Sequence, residues 1–583
     1  MNAITWLRHK YICINCVLFL KCVQSLNGYD LPTFGNTWAV TLDFGVDPDA
    51  LASEYGFQNH GQILQGVYEF RSLKENGLRT CANNDIPLAG HSFVSGVEHQ
   101  EIIEAEVKTI AMRDPLWDQT WHINVRPDNG KGMNIVGAWQ QGYFGQGVTI
   151  CHVDNGIDYT HPDLKRNFRH YLSFSVVNSS ASVLDVEPKT SHGTMMAGLS
   201  VAEGNNSVCA VGVAPRAEMG MVQLFEGQKG RFTPAQFARA LSRSHLVDVY
   251  VLGFGAADSG GAFTRVTPLE LEAIKQAVTR GREGKGTVII QATGNGGLKG
   301  DSCSFQGRIN LPFVIGLNSA GESGALPKYT ENCTSILASA YGSGDGYQKD
   351  RRMTTTQGGG GCTDRFTGTS SSSAISGGVA TLLLNANKRL TWRDVQHILI
   401  RSADPSLLET HADWNQNGVG RWYSRSFGYG LIDAGKMVTI ARNWSLVGNQ
   451  ISCIVQSSEQ HVRIPRGGQH SHAIRMHCGN MRFLEHVIVV PSVHATRRGD
   501  IDLTLKSPMG TMSKILRGRK YDYYFRGVDD FPLKSVEFWG EDSNGTWELI
   551  VSSNADPHVG FSSPLTFRSW KLELFGTANL RNS

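Results

Sequence analysis

Three side chains from separate stretches of the chain are of the types that acyl transfer requires. Asp154 ends the apolar run GVTICHVD, His192 opens the helical pattern SHGTMMAG, and Ser370 opens the helical pattern that continues as SSSAISGG. A protease that works by acyl transfer needs a nucleophile, a base that accepts its proton, and an acid that fixes the tautomer of the imidazole. The three positions together predict such a triad.

A fourth residue, Asn295, is a candidate for stabilising the negative charge that develops on the attacked carbonyl oxygen. It lies in ATGNGG, directly after the strand pattern GTVIIQAT. Its side-chain amide can donate a hydrogen bond, as can the free backbone N–H groups at the start of the helix that carries Ser370. Removing one such donor typically costs about 3–4 kcal/mol of transition-state stabilisation. Taken singly, a serine run is typical of a linker and a lone His of packing, but the four residues in one domain favour chemistry.

The elements that must position these residues belong to the middle of a chain of 583 residues, which is too long for one ordinary core. Residues 114–445 alternate apolar β-branched runs with helical patterns, which predicts a mainly parallel sheet with helices on both faces. Chemistry collects at the carboxyl ends of the strands in such a sheet. Residues 28–112 predict a small α+β unit, and the short alternating strands from Gln450 onward predict a separate β-sandwich.

The N-terminus and the cysteines indicate the compartment. Residues 1–25 place a basic flank before a short apolar run, which is the layout of a secretory signal peptide; a buried helix is the alternative. Beyond it, eight cysteines include no CxxC pair, so a zinc ribbon is disfavoured and disulfides are expected, with the connectivity open. Five N-x-[ST] sequons fit the same compartment. The net charge of +3 is too small to indicate nucleic acid as a partner, and no later stretch is long enough to span a membrane.

The motifs DNGIDYTHPDL, SHGTMMAG, ATGNGG and FTGTSSSSA resemble the four active-site motifs of subtilisin-like proteases, whose triad has the same Asp, His, Ser order. The chain more closely resembles the kexin/furin-type proprotein convertases, through strings such as YGFQNHGQI, ANKRLTWRDVQHIL and RRGDIDLTLKSPMGT. The resemblance implies a prodomain at 26–113 with its junction within 106–113, a catalytic domain at 114–447, and a P domain at 448–580.

The same resemblance implies a calcium-dependent serine endoprotease of the secretory pathway that processes precursor proteins. It assigns Ser370 as nucleophile, His192 as base, Asp154 as orienting acid and Asn295 as oxyanion donor. The prodomain is then the enzyme's own chaperone and inhibitor, and the enzyme is expected to be secreted or to lie in the granule lumen. A catalytically silent binding protein or chaperone with the same fold is the alternative.

Disulfide pairs and calcium ligands follow from the resemblance alone. The implied pairs are Cys209–Cys362, Cys303–Cys333 and Cys453–Cys478, which leave Cys81 and Cys151 unpaired. One implied Ca²⁺ site consists of Asp114, Asp163 and Asn206, with the backbone carbonyls of Glu203, Val208 and Ala210. A second consists of Asp258, Asp301 and Glu331. Hard oxygen ligands of this kind suit Ca²⁺.

The substrate cleft departs from the family pattern, in which carboxylates recognise paired basic residues. The cleft residues are Asn155, Gly253, Phe254, Gly255, Asp258 and Gln306. Only Asp258 keeps a carboxylate, and Lys189-Thr190 replaces an Asp-Asn pair. Two further lost acids align near Phe237 and Thr264, with Arg265 adjacent. A lost carboxylate weakens selection of a basic side chain, by on the order of 2–5 kcal/mol for a buried pair.

The segment HQEIIEAEVKTIAMRDP, where the prodomain is expected to be released, lacks a dibasic pair and carries three Glu residues. The changes in the cleft and in this segment have the same electrostatic direction. We therefore hypothesise a protease that depends less on paired basic residues and tolerates neutral or acidic ones.

Overall fold

The computed structural model describes residues 34–73, 86–102, 112–124, 132–177, 192–227, 230–344, 350–408, 413–554 and 564–579. The predicted signal peptide, Cys81, Lys189-Thr190 and most of the junction at 106–113 lie outside the described residues. The chain divides into two compact units, residues 1–109 and 110–583. Within the described ranges, no helix is both long and apolar enough to cross a bilayer.

The α-helices are α1 Pro48–Glu54, α2 Ile135–Gln140, α3 His192–Val201, α4 Pro234–Ala240, α5 Pro268–Arg280, α6 Thr369–Ala386, α7 Trp392–Ser402 and α8 Ala434–Arg442. The strands of the first unit are β1 Phe34–Leu42, β2 Phe57–Leu64, β3 Val67–Ser72 and β4 Val94–Glu101. Those that precede α7 in the second unit are β5 Thr149–Asp154, β6 Phe174–Ser175, β7 Glu218–Gln223, β8 Val249–Leu252, β9 Val288–Ala292, β10 Val314–Ala320, β11 Ile336–Tyr341, β12 Met353–Gln357 and β13 Gly361–Phe366. The remainder are β14 Asn415–Gln416, β15 Trp422–Tyr423, β16 Ile451–Gln456, β17 Val462–Ile464, β18 Gln469–Met476, β19 Phe483–His494, β20 Ile501–Lys506, β21 Met512–Leu516, β22 Val528–Asp529, β23 Leu533–Ser535, β24 Gly545–Ser553 and β25 Leu565–Thr577.

The first unit is a four-stranded antiparallel sheet in the order β2-β3-β1-β4. Helix α1 begins after Asp47, whose side chain accepts the backbone N–H groups of Asp49 and Ala50. Leu51 of α1 belongs to a small core with Trp38 and Phe70. The α+β unit predicted for this region is confirmed.

The second unit is built on a seven-stranded sheet in the order β11-β10-β9-β8-β5-β7-β6, and every pairing in it is parallel. Every residue of β8, β9, β10 and β11 is buried. Burial on both faces explains why these strands are continuous apolar runs rather than alternating ones. The predicted parallel sheet with flanking helices is confirmed.

Helix α6 runs through the core, and all its residues from Thr369 to Leu384 are buried. It packs against β8 to β11 and against α3. The hydroxyls of Ser371, Ser372 and Ser373 each donate to the carbonyl oxygen three residues earlier, at 2.6, 2.9 and 2.8 Å. These hydroxyls are therefore satisfied inside the helix, so the serine run is buried helix and not a linker.

The C-terminal strands form a sandwich of two antiparallel sheets. One contains β16-β25-β19-β22 with β17 and β23 attached, and the other is β18-β24-β20-β21. Trp547, Phe567 and Trp570 are buried in the core between them. The predicted β-sandwich is confirmed, and Arg498-Gly499-Asp500 forms a buried turn before β20.

The sandwich and the parallel-sheet domain share one compact unit and are joined by a buried ionic contact. The guanidinium of Arg393 in α7 binds the carboxylate of Glu485 in β19, which His397 also contacts at 2.9 Å. The Glu485 side chain has no exposed surface. The three disulfides implied by the resemblance are confirmed, with Cα–Cα distances of 5.5, 5.4 and 5.6 Å, and Cys151 is free and buried.

Candidate active site

The acid and the base of the predicted triad are in contact. His192 is the first residue of α3, Asp154 is the last residue of β5, and Nδ1 of His192 lies 2.9 Å from both carboxylate oxygens of Asp154. Asp154 is 1% exposed, whereas the His192 side chain is 23% exposed at the cleft. The carboxylate therefore fixes Nδ1 as the protonated nitrogen and leaves Nε2 free to accept a proton.

The charge state of His192 results from two opposing effects. Burial disfavours the imidazolium and lowers the pKa, but the charge of Asp154 and its hydrogen bond outweigh burial. The pKa of His192 is therefore raised above its ordinary value of 6.5. The ring of Phe366 packs edge-on against the imidazole, with ring centroids 5.3 Å apart, and further restricts its orientation.

Ser370 is the second residue of α6, so its backbone N–H is among those without an intrahelical partner. Its hydroxyl donates to the carbonyl oxygen of Gly253 at 2.9 Å. The hydroxyl has only one proton, so it must rotate toward His192 before transferring that proton. Catalytic hydrogen bonds are often long or poorly aligned in enzymes without bound substrate.

Asn295 is held by Thr369 with its carboxamide in one orientation. Its Oδ1 accepts the backbone N–H of Thr369 at 2.8 Å and the Thr369 hydroxyl at 3.1 Å. A backbone N–H can only donate, so the oxygen of the carboxamide must face Thr369 and Nδ2 must face away from it. Gly368 makes this approach possible, because it has a φ of 95° and a Cβ there would lie 3.1 Å from Asn295 Nδ2.

Asn155 links Asp154 to the backbone at the start of the helix that carries His192. Its backbone N–H donates to Asp154 Oδ1 at 2.8 Å, its Oδ1 accepts the Gly193 N–H at 3.1 Å, and its Nδ2 donates to the Gly227 carbonyl at 3.2 Å. A carboxylate could not make the last of these contacts. The carboxamide thus ties the start of α3 to the end of β5 without adding negative charge to the cleft.

Gln306 does not line the cleft itself but lies behind the cleft residue Gly255, where a Cβ would approach its Oε1 to 2.6 Å. The Gln306 residue is 3% exposed. Its Nε2 donates to the Thr293 carbonyl at 2.6 Å and to Glu331 at 3.3 Å. Its Oε1 accepts the Ala256 N–H at 3.4 Å. Both ends of the carboxamide are therefore satisfied, and Gln306 itself adds no charge behind the cleft.

A single cleft of about 880 Å³ contains the triad, Asn295, Asn155, Gly253, Phe254, Gly255 and Asp258. Among its described lining residues, Asp258 is the only carboxylate besides Asp154. The remaining residues that aligned with lost acids lie elsewhere: Phe237 is fully buried, and Arg265 donates to the backbone carbonyls of Asp529 and Asp530 in the sandwich at 2.6 and 2.7 Å. Arg265 is thus not among the described residues that line the cleft, and its guanidinium binds the sandwich.

The structure brings together the first predicted set of metal ligands, Asp114, Asp163 and Asn206. Asn206 Nδ2 donates to Asp163 Oδ1 at 2.8 Å, and Asp114 accepts the backbone N–H groups of Asn205 and Asn206 at 2.8 and 3.1 Å. Asp163 is fully buried, and its Oδ2 has no hydrogen-bond partner. Burial is the main cause that raises the pKa of Asp163 to about 8.

The second predicted set is more fully hydrogen-bonded. Asp301 accepts from the Gly260 N–H at 2.6 Å and from Arg519 at 3.0 Å, and Glu331 accepts from the Gly296 N–H at 3.2 Å. Burial and then the charge of Asp301 raise the pKa of Glu331 to about 8. In the part of the chain that the structure describes, no group of three or more His, Cys, Asp or Glu side chains is arranged to hold a metal ion.

Several residues at the site were not found from the sequence. Thr369 orients Asn295, and its Oγ1 also accepts the Gly294 N–H at 3.1 Å. The cleft is also lined by Phe225, Phe232 and Arg365, and none of these three belongs to a catalytic motif. Thr369 had a signal in its position directly before the nucleophile, whereas the others had none.

Comparison with known proteins relates all three regions of the chain to proteases. Residues 145–430 match the subtilase family model, residues 37–106 the peptidase S8 pro-domain model, and residues 484–574 the proprotein convertase P-domain model.

Rat furin is 34% identical over 94% of this chain and 69% of its own length. Furin-like protease 1 of Drosophila melanogaster is 34% identical over 95% of this chain but 45% of its own length, so this chain spans about half of some relatives. A serine protease of Aeromonas sobria, 22% identical, has the same fold, with a TM-score of 0.69 over 81% of this chain and 97% of that one.

Substitution of Asn295 tests the oxyanion donor. Asn295→Ala is expected to lower kcat for peptide hydrolysis by about 10²–10³-fold, because one donor to the oxyanion is lost. Asn295→Asp is the control, since it keeps an acceptor for Thr369 but no N–H for the substrate. If Asn295→Asp retained most of the activity, the residue would serve only to hold Thr369.

The pH dependence of kcat/KM tests the contact between Asp154 and His192. His192 must be neutral to act as a base, and its pKa is raised, so activity is expected to rise with pH along a limb centred above pH 6.5. Asp154→Asn should move this limb to lower pH and lower kcat by about 10⁴-fold. A limb that stays in place in Asp154→Asn would contradict the assigned role of Asp154.

Proposed function

Since this chain belongs to the kexin/furin-type proprotein convertase family of subtilisin-like proteases, we propose that it is a serine endoprotease that cleaves precursor proteins in the secretory pathway. The observation that carries the proposal is the 2.9 Å contact between His192 Nδ1 and the buried carboxylate of Asp154, in one cleft with Ser370 and Asn295. A protein retained only as a scaffold has no need for this pairing.

In the proposed reaction, Ser370 Oγ attacks the carbonyl carbon of the scissile peptide bond while its proton passes to His192 Nε2. The negative charge on the carbonyl oxygen is stabilised by Asn295 Nδ2 and by the backbone N–H of Ser370. The imidazolium, stabilised by Asp154, then gives its proton to the leaving amine nitrogen as the C–N bond breaks. A water molecule, deprotonated by His192, hydrolyses the acyl-enzyme in the same way and restores Ser370.

We propose that this protease selects paired basic residues less strongly than its resemblance alone implies. Asn155 and Gln306 are neutral carboxamides that are hydrogen-bonded within the protein, so Asp258 is the carboxylate left to recognise a cation. A cationic side chain that loses its water without a paired carboxylate binds poorly. Cleavage restricted to introduced Arg or Lys pairs, with Glu-containing peptides refused, would contradict this proposal.

The region at 37–106 supports a proposed role for the first unit as the enzyme's own folding aid and inhibitor, because it matches the pro-domain model. Release then requires a cut within the segment predicted at 106–113, which carries no dibasic pair. Sequencing the N-terminus of the secreted protein would locate this cut.

We propose Ca²⁺ as a structural cofactor at the set formed by Asp114, Asp163 and Asn206. The unpartnered Oδ2 of Asp163 carries the proposal, because a buried carboxylate oxygen without a donor is costly unless a cation binds it. Bound there, Ca²⁺ would neutralise the two carboxylates. The second set, Asp258, Asp301 and Glu331, stays a prediction, since Arg519 already pairs with Asp301.

Labelling with a fluorophosphonate tests the nucleophile. The secreted protein is expected to be labelled, and Ser370→Ala is expected to lose both labelling and release of the prodomain. Ser372→Ala is the control and should retain labelling, because the Ser372 hydroxyl is bonded inside the same helix to the Thr369 carbonyl. A folded protein that resists every such probe would favour the silent binding protein instead.

Calcium removal tests the metal proposal. Chelation of Ca²⁺ is expected to lower the unfolding temperature of the wild type, because a ligand at about 100-fold its Kd adds about 2.7 kcal/mol of stability. Asp163→Asn should lose most of this dependence on Ca²⁺. Asp364→Asn, which alters a carboxylate that is 68% exposed, should keep it. Equal unfolding temperatures of the wild type with and without Ca²⁺ would contradict the proposal.

A further inference from the structure

One side of the cleft is a wall of three phenyl rings. Phe225, Phe232 and Phe254 line the same cleft as the triad, and we call them the aromatic wall. Their ring centroids lie 5.6 Å apart for Phe225 and Phe254, 5.4 Å for Phe232 and Phe254, and 6.4 Å for Phe225 and Phe232. Gly230 also lines the cleft and lies so close to Phe225 that a Cβ there would clash with the ring. The rings are therefore tightly fixed against one another.

Behind the aromatic wall is a buried cation that does not line the cleft. The guanidinium of Arg308 lies 5.5 Å from the ring centroid of Phe232, 4.8 Å from that of Phe237 and 5.4 Å from that of Phe254. It is held by Glu270 at 2.7 Å, and its side chain is only 11% exposed. Arg308 thus has its own carboxylate partner and stacks against the rings from within the protein.

This arrangement decides what the aromatic wall can bind. A cationic side chain in the cleft would be attracted by the ring faces, but Arg308 already stacks on Phe232 and Phe254, so these rings have less attraction left for a second cation. The two carboxylates of the cleft are already in contact with other groups, since Asp154 is bound to His192 and Asp258 accepts the Asn295 N–H at 3.2 Å. An acidic side chain would lose water without gaining a hydrogen-bond donor from the rings. A large apolar side chain has no charge to desolvate, and burying it against the rings is favourable in free energy.

We propose that the aromatic wall is a substrate subsite for a large apolar side chain, such as Leu, Met or Phe, at a residue other than the one whose carbonyl is attacked. The inference rests on the proposed protease function and names the substrate class that the altered cleft selects. Phe232 is the specificity-determining residue we choose to test, because it contacts both Phe225 and Phe254 and is only partly buried.

The test measures kcat/KM of the secreted full chain on fluorogenic peptides in which each position near the scissile bond is varied among Leu, Phe, Ala, Arg and Glu. We expect one position at which Leu or Phe exceeds Ala, Arg and Glu by about 10- to 100-fold. Phe232→Ala should reduce this ratio to a few-fold, and Phe232→Leu, which keeps an apolar wall, should retain most of it. Phe525→Ala removes a ring that is 64% exposed and does not line the cleft, and should leave the ratio unchanged.

Fluorophosphonate labelling in the same samples separates the two ways of failing. A wild type that is not labelled overturns the protease function and the subsite with it. A labelled wild type without an apolar preference at any position, or with an Arg or Glu preference that Phe232→Ala abolishes, overturns the subsite alone. A ratio that Phe232→Ala leaves unchanged, in a protein that labels at the wild-type rate, also overturns it.

Discussion

The site depends on one helix that begins in the cleft and continues through the core. All residues of α6 from Thr369 to Leu384 are buried, so the position of its first turn is fixed by packing along its length. That turn carries Ser370, the proposed nucleophile, together with its backbone N–H and the Thr369 contacts that orient Asn295. Gly368 is the point at which the chain can enter it, because only a residue without a Cβ accepts both the positive φ and the close approach of Asn295.

The chemistry and the recognition of substrate are separable in this cleft. Asp154 and His192 form a directly bonded pair at the end of β5 and the start of α3, whereas the rest of the described cleft lining is mainly neutral or aromatic, with Asp258 and Arg365 as its charged residues. Changes in the walls alter which side chain is desolvated favourably, and they leave the proton transfer from Ser370 untouched. Under the proposed mechanism, this separation lets the chain keep Asp154, His192 and Ser370 while its cleft has fewer carboxylates than the family resemblance implies.

The sandwich contributes to the site through buried charges. Arg519 donates to Asp301 at 3.0 Å and to the Ala262 carbonyl at 2.7 Å, and Arg498 donates to the Gly261 carbonyl at 3.1 Å. These contacts hold the loop that follows Asp258 at the edge of the cleft. With the buried contact of Arg393 and Glu485 on α7, they make the two domains one compact unit. Breaking a buried ion pair of this kind typically costs about 3–5 kcal/mol, so neither domain is independent of the other.

The sequence by itself determined the parallel sheet, the sandwich and the pairing of Asp154 with His192, because apolar runs that end at Gly or Asn and motifs at strand ends are local patterns. The family resemblance supplied the disulfide pairs, which spacing alone left open. Only the tertiary structure decided the orientation of Asn295, the engagement of Arg265 with the sandwich, and the aromatic wall backed by Arg308. These features bring together residues distant along the chain, and a side chain's partners depend on packing that no local pattern contains.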